Sequence, residues 1–287
     1  MGMNGKVKIL ISMAVFGTVG IFVRFIPMAS AAIAFCRGVL GCAFLLLLMA
    51  VTGKKPDICA MKRNGWILAL SGAAIGINWI LLFEAYRYTT VAIATICYYL
   101  APVFLVLASP ILGEKLTAKK CICIGVALVG MVFVSGVLTG GIGGFTGIVL
   151  GVGAAVFYAS VMVMNKKLSP IGAYDKTIIQ LMSAAVVILP YLLFTGGFAF
   201  QEMTPVSWIL LGVVGIVHTG LAYALYFGSM KDLNAHSIAI LSYLDPVLSI
   251  ILSALILREA MDVFTIIGAV LILGSALYSE LPERKKT

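Results

Sequence analysis

Three side chains capable of polar chemistry sit in stretches that are otherwise almost wholly apolar: Arg37 in AAIAFCRGVLGCAF, His218 in VGIVHTGLAY and Asp245 in ILSYLDPVLSIIL. A charge in such surroundings is costly unless it faces protein or a water-filled cavity, so each residue needs a partner. The guanidinium of Arg37 presents a planar fork that matches a carboxylate through two parallel hydrogen bonds. Its plain structural alternative is to reach back along its own helix to the interface. Asp245 can take an amine, a proton, or a structural hydrogen bond. Pro246 beside it has no N–H and leaves a carbonyl unpaired in the preceding turn, open to substrate, water or an ion. Pro102 sets up a second bend of the same kind without the carboxylate. His218 is suited to hydrogen bonding or proton transfer, or to a simple cross-link between helices.

Other polar groups widen this candidate set. Asn78 and Trp79 are adjacent, as are Tyr98 and Tyr99, and these aromatic rings are able to wall a cavity for a small organic molecule or pack an ordinary interior. Glu84 and Arg87 are three positions apart, a spacing that suits a local pair on a helix surface as well as substrate contact. Glu114 lies beside Lys115, Lys119 and Lys120 and reads as an ion-linked helix end; Glu259 reads as its counterpart at another boundary. Metal chemistry has no support. The Cys121-x-Cys123 pair lacks the usual spacer and a neighbouring histidine, and no P-loop, dinucleotide fingerprint or HExxH occurs. No cofactor is implied.

The elements that must position these residues follow from composition. Of 287 residues, 62% are hydrophobic and only 11% charged, with a mean hydropathy of +1.13. A soluble domain carries about 25% charged residues, and there is too little polar side chain here to cover a water-exposed surface. The chain is read as an all-α integral membrane protein with ten transmembrane helices, at approximately 8–26, 30–51, 65–84, 90–112, 120–137, 145–164, 176–196, 205–228, 237–257 and 262–280. Each run approaches the roughly 20 residues needed to cross about 30 Å of hydrocarbon. A β-barrel is a poor alternative, since AFLLLLMAV at 43–51 shows no period of two. Short loops leave no mass for a separate catalytic domain, so an enzyme is not expected. The first apolar stretch contains Arg24 and runs into another hydrophobic segment, unlike a cleaved signal peptide.

The net charge of +9 is explained by its distribution. With the N terminus in the cytoplasm, the inner segments hold 16 of the 20 Lys and Arg residues, including Lys54, Lys55, Lys62, Arg63, Lys166 and Lys167. The outer loops hold Arg24, Arg87 and Arg258. Such alternation is the positive-inside rule, and it places both termini in the cytoplasm of a multi-pass protein of the inner (plasma) membrane. The basic balance describes attraction to anionic membrane lipids, with no nucleic-acid partner.

An internal similarity organises the chain. Phe83, Ile96, Tyr99, Leu100, Pro102 and Val103 align with Phe227, Ile240, Tyr243, Leu244, Pro246 and Val247, and GWILAL at 65–70 echoes SWILLG at 207–212. Duplication of a five-span unit is the reading, with units at 1–139 and 140–287 joined by the glycine-rich GGIGGFTG at 140–147. Five spans leave the chain on the opposite side, so the second unit is inverted relative to the first. Gly72-x-x-x-Gly76 and Gly147-x-x-x-Gly151 permit close helix contact.

These pieces together resemble the drug/metabolite transporter superfamily in its ten-span EamA branch. The resemblance rests on YYLAPVFLVLASPILGEKLT at 98–117, its degenerate partner SYLDPVLSIILSALILREA at 242–260, and the connector AYRYTTVAIA at 85–94. It implies two inverted five-helix repeats around a central cavity, with the fifth and tenth helices peripheral, and a secondary transporter that moves small metabolites, commonly amino acids and often outward. Under that resemblance Arg37, Asn78, Trp79, Glu84, Tyr98, Tyr99, His218 and Asp245 are the candidates for substrate binding or coupling, and Pro102 and Pro246 for helix bends. Proton coupling through a carboxylate stays open, as does the oligomeric state. A nucleotide-sugar, vitamin or drug transporter is the alternative substrate class; a membrane receptor or scaffold, which would bind ligand without flux, is the alternative function.

Overall fold

A computed structural model describes residues 4–113, 117–134, 144–195, 197, 202–229, 233, 238 and 241–281. Glu114, His236 and residues 140–143 of the glycine-rich join at 140–147 lie outside them. The described residues form an all-α multi-pass membrane protein. Its first helices are α1 (Gly5–Arg24), α2 (Ser30–Val51), the short α3 (Ile58–Arg63), α4 (Gly65–Tyr88), α5 (Val91–Tyr98), α6 (Ala101–Leu107) and α7 (Ala118–Val134). There follow α8 (Phe145–Lys166), α9 (Ala173–Thr195), α10 (Pro205–Gly215), a π-helical segment Ile216–Leu221, α11 (Ala222–Ser229), α12 (Leu244–Ile256) and α13 (Val263–Glu280).

The expectation of ten transmembrane helices is met in part. Among the described residues six helical runs are long and apolar enough to cross a membrane: α1, α2, α4, α8, α9 and the continuous run Pro205–Ser229. Val91–Leu107, Leu244–Ile256 and Val263–Ser279 are shorter. The cause is visible at the fourth span, where α5 ends at Tyr98 and α6 begins at Ala101 with Pro102 in its first turn. Proline offers no N–H and disfavours helical geometry in the residue before it, so the break falls just ahead of it. In the ninth span Pro246 likewise occupies the first turn of α12.

Helix starts are fixed by side-chain caps that satisfy orphan N–H groups. Thr90 Oγ1 accepts from Ile93 N–H at 3.1 Å, Thr204 Oγ1 from Ser207 N–H at 3.1 Å and Asp262 Oδ1 from Thr265 N–H at 2.7 Å. A further cap comes from far along the chain. Glu259 Oε2 accepts from the Val91 N–H at 2.9 Å and from the Ser253 hydroxyl, so this carboxylate closes the N terminus of α5. Among the described residues it makes no ion pair, unlike the boundary role its sequence context suggests.

Small residues bring the backbones together. A Cβ on Gly72 would lie 2.5 Å from the Gln180 carbonyl oxygen, which fixes how closely α4 approaches α9. Gly130 and Gly268 face each other in the same way where α7 packs on α13. One apolar core joins α1, α2, α4 and α9 around Leu45, Phe83, Leu181 and Leu192, and a second joins α5 to α8 with α13 around Ile96, Val103, Ala127 and Ile272. Side chains such as Phe194, 91% exposed, turn outward to the lipid. On the lysine-rich face, Asn64 ties two loops: its Oδ1 accepts from Ser169 N–H at 2.9 Å and its Nδ2 donates to the Ala60 carbonyl at 2.9 Å.

Candidate functional site

Arg37 points from α2 into the protein and is 5% exposed. Its Nε donates to Thr219 Oγ1 at 2.7 Å, and its guanidinium carbon stands 4.3 Å from the Trp79 ring centroid and 5.7 Å from that of Phe83. The guanidinium therefore does not reach back to the interface. Stacking on indole supplies a cation–π attraction that partly replaces lost hydration. Among the described residues its two Nη groups meet no hydrogen-bond acceptor, and no carboxylate lies within ion-pairing distance of it.

The partner Thr219 belongs to the π-helical segment Ile216–Leu221, which interrupts the eighth span. Its hydroxyl donates to the Val214 carbonyl, five residues back, at 3.0 Å. That donation uses its only proton and leaves the oxygen lone pairs to accept from Arg37. His218, one position earlier, turns to α1. Its Nε2 lies 2.8 Å from Thr18 Oγ1 and its Nδ1 3.3 Å from the Val213 carbonyl, and the Thr18 hydroxyl itself donates to the Val15 carbonyl at 2.7 Å. Phe22 packs on the His218 ring at 4.8 Å between ring centroids. Single π turns interrupt α-helices often at functional sites, because the extra residue re-aims side chains.

Asp245 lies in the first turn of α12 and accepts from the Tyr99 hydroxyl at 2.7 Å. Tyr99 stands at the break between α5 and α6, so the two proline-bearing spans meet through this bond. An aromatic wall continues from it: Tyr98 is edge-on to Tyr99 at 5.9 Å and 5.3 Å from Tyr158 of α8, and Tyr243 is 6.3 Å from Tyr99. Tyr223 of α11 packs against Phe16 of α1 at 5.4 Å. The backbone of α1 touches this site directly, since a Cβ on Gly17 would lie 2.8 Å from the Asp245 carbonyl oxygen.

Not every residue singled out in the sequence joins this constellation. Arg37, Trp79, Tyr98, Tyr99, His218 and Asp245 are arranged on helices that pack against one another around α1, α2 and the π segment. Asn78 is occupied elsewhere: its Nδ2 donates to the Ala154 carbonyl at 2.6 Å and cross-links α4 to α8. Glu84 stands at the far end of α4, where Oε2 accepts from the Ser30 hydroxyl at 2.5 Å and lies 3.6 Å from Arg87. Thr219, Thr18, Tyr158 and Tyr243 are absent from the sequence-derived set. A threonine in an apolar helix gives no signal of its own, and a π turn leaves no pattern in hydropathy. Among the described residues no group of three or more histidine, cysteine or acidic side chains is placed to hold a metal.

Comparison with known proteins agrees with this architecture. The model of the EamA-like transporter family matches twice, at residues 3–136 and 145–279. The chain is 30% identical over 280 residues to a Bacillus subtilis protein named uncharacterized transporter YxxF, covering 94% of this chain and 88% of that one. It is 25% identical over 244 residues to the chloramphenicol-sensitive protein RarD of Pseudomonas aeruginosa, covering 82% and 79% of the two chains. A solved crystal structure with 20% identity superposes with a TM-score of 0.66 over 96% of each chain and shares the fold. With both halves matched, a buried polar cluster between helices and a transporter relative aligned along nearly its whole length, this chain belongs to the EamA-like transporter family, whose members are secondary transporters.

Proposed function

We propose that this transporter carries amino acids or closely related small metabolites bearing a carboxylate, in the direction of export or as a facilitator. The observation that carries the reading is the state of Arg37: buried, stacked on Trp79 and held at Nε by Thr219, with its Nη edge meeting no acceptor among the described residues. A guanidinium fixed in that way is preorganised for bidentate capture of a carboxylate. Asp245, oriented by Tyr99, supplies the opposite charge for an amine or for a coupling proton. Tyr98, Tyr99, Tyr158 and Trp79 provide flat apolar surface for the body of the substrate.

The architecture that supports alternating access is two inverted five-helix units at 1–139 and 140–287, with both termini on the cytoplasmic side of the plasma membrane. The lysine-rich face, with Lys54, Lys55, Lys62, Arg63, Lys166 and Lys167, is then the inner one. Reversal of the two units exposes the central cluster to each side in turn, with bends localised at Pro102 and Pro246. A second reading, transport of a planar drug-like molecule, draws on the aromatic wall alone and has no use for the Arg37 fork.

Purified protein in liposomes loaded with a mixed metabolite pool is the test. Efflux of amino acids from wild-type vesicles, weakened about tenfold or more by Arg37→Lys at matched folded yield, is the expected result. Efflux of planar aromatic cations with no amino-acid flux favours the second reading, and saturable ligand binding without any flux makes the protein a receptor.

A further inference from the structure

Three hydrogen-bonded contacts run in line between α5 and α12. Tyr99 donates to Asp245 at 2.7 Å, and the hydroxyl oxygens of Thr95 and Ser249 lie 3.1 Å apart. At the end of the line Glu259 Oε2 accepts both from the Val91 N–H, at 2.9 Å, and from the Ser253 hydroxyl. Positions 91, 95 and 99 on one side and 245, 249 and 253 on the other recur every four residues, close to one helical turn, so each set follows one helix face. Numbers rise along one set as they fall along the other, and the two helices therefore run antiparallel. Thr95, Ser249 and Ser253 are buried. One helix belongs to the first family match and the other to the second, so this ladder joins the two halves of the chain.

The ladder is hinged at one end and latched at the other. At the Tyr99–Asp245 rung α5 stops short of Pro102, and α12 begins at Leu244 with Pro246 in its first turn, so neither helix continues unbroken past this rung. The opposite end lies on the face away from the lysines, where Glu259 is presented by Arg258. The φ of Arg258 is 54°, in the left-handed region that favours glycine, and the corresponding turn of the first half carries Gly113 at 73°. Only one oxygen of the Glu259 carboxylate is bonded: Oε1 is buried and meets no hydrogen-bond partner among the described residues. A contact resting on one oxygen and a strained turn is the weakest point of the ladder.

We propose that this ladder is the gate between Asp245 and the face away from the lysines, shut in this conformation, which parts first at Glu259 and swings about the Tyr99–Asp245 rung. Hydrogen bonds between membrane helices are individually weak, so a seam of three rungs opens and closes within a working cycle. Once parted, the hydroxyls and the carboxylate need water, and they line a polar route to Asp245 that an apolar seam does not offer. Describing that route as the substrate's rests on the function proposed above; the opening of the ladder does not.

The experiment uses full-length protein in lipid nanodiscs carrying Ser249→Cys on the middle rung. Labelling by a charged, membrane-impermeant maleimide is read residue by residue by mass spectrometry, with the exposed Cys59 as a control for reagent access and the buried Cys42 of α2 as a control for general loosening. Adding Glu259→Ala should speed labelling at position 249 about fivefold or more with both controls unchanged. Glu259→Gln keeps a carbonyl acceptor for the Val91 N–H and should leave the rate near its starting value. A rate at position 249 that ignores Glu259→Ala, an equal rise at Cys42, or equal acceleration by Gln and Ala overturns the gate. In proteoliposomes, Thr95→Cys/Ser249→Cys oxidised to a disulfide with diamide should lower amino-acid efflux about tenfold or more, with recovery on reduction. Undiminished efflux through the cross-linked protein also overturns the gate and leaves the transport reading intact. Labelling that depends on Glu259, in a protein whose wild type shows no efflux, supports the opening of the ladder and removes the transport reading instead.

Discussion

Arg37 Nε and Thr219 Oγ1 lie 2.7 Å apart across 182 residues of chain, joining the second span to the π segment of the eighth. The bond has a fixed polarity, because the Thr219 proton is committed to the Val214 carbonyl. If Arg37 binds substrate as proposed above, Thr219 acts through it as a positioning residue. Replacing it by Val keeps the shape but removes the acceptor, and a hydrogen bond to a charged group contributes about 1.5–3 kcal/mol. Thr219→Val should weaken binding of a carboxylate substrate about tenfold or more and leave its neutral amide analogue nearly unchanged, with Thr219→Ser restoring most of the loss. Equilibrium binding of both ligands to folded protein checks this; an equal loss for both would show a purely structural threonine.

Asp245 contributes a carboxylate whose orientation depends on Tyr99. Asp245→Asn keeps volume and part of the hydrogen bonding but removes the titratable charge. Flux of amino acids in proteoliposomes should fall about tenfold or more even down a gradient if the group binds the amine, and least for analogues without an amine. Retained downhill flux with loss of the pH-driven component would assign Asp245 to proton coupling instead. Unchanged flux, selectivity and pH dependence would remove it from the site.

Gly72 is where α4 and α9 approach most closely in the sense that a Cβ has nowhere to go. The methyl group of Gly72→Ala would fall 2.5 Å from the Gln180 oxygen and 2.6 Å from the Ser183 Cβ, so the helices must separate. Overpacking of this kind costs about 1–3 kcal/mol. Gly125→Ala is the control, since nothing lies within 4 Å of its added carbon. Thermal unfolding in detergent should show Gly72→Ala clearly destabilised and Gly125→Ala neutral or slightly stabilised.

Asn78 holds α4 to α8 through the Ala154 carbonyl. Asn78→Leu removes that cross-link, and such bonds between membrane helices average about 0.6 kcal/mol with a maximum near 1.7. The expected effect is a small loss of thermal stability with substrate selectivity retained. A change in selectivity measured by competition would place Asn78 at the substrate.

Asp262, exposed at the N terminus of α13, is held below its ordinary carboxylate range chiefly by hydrogen bonding from Thr265. A group depressed on folding contributes stability in full above its unfolded value of 3.8 and loses it as pH falls through the lower folded value. Asp262→Asn should therefore reduce the stability difference between neutral and strongly acidic pH. Melting curves for both proteins across that range check the sign, and identical acid dependence would rule the contribution out.

Much of the fold was legible because a membrane imposes a one-dimensional code. Apolar runs of about 20 residues, bounded by lysines on alternate sides, mark where helices cross, and they place α1, α2, α4, α8 and α9 within a few residues. Pro102 also marked the break in the fourth span, since the missing N–H is a property of the residue itself. The same code does not show interruptions: the run at 90–112 is apolar enough to read as a single span, and hydropathy does not distinguish one helix from the pair α5 and α6.

The candidate site divides along the same line. Arg37, His218 and Asp245 were visible because each carries a polar group where solvation is scarce, a condition set by local composition alone. Their partners were not. Thr219 holds Arg37, Thr18 meets His218, Tyr99 reaches Asp245, and Glu259 closes the start of α5, in pairs separated by more than 140 residues. Sequence by itself determined which side chains need partners and roughly how deep they lie. Only tertiary structure decided which partner each receives, because that choice depends on helix rotation, on the extra residue of a π turn and on how closely glycine-lined backbones approach, none of which leaves a trace in the order of residues.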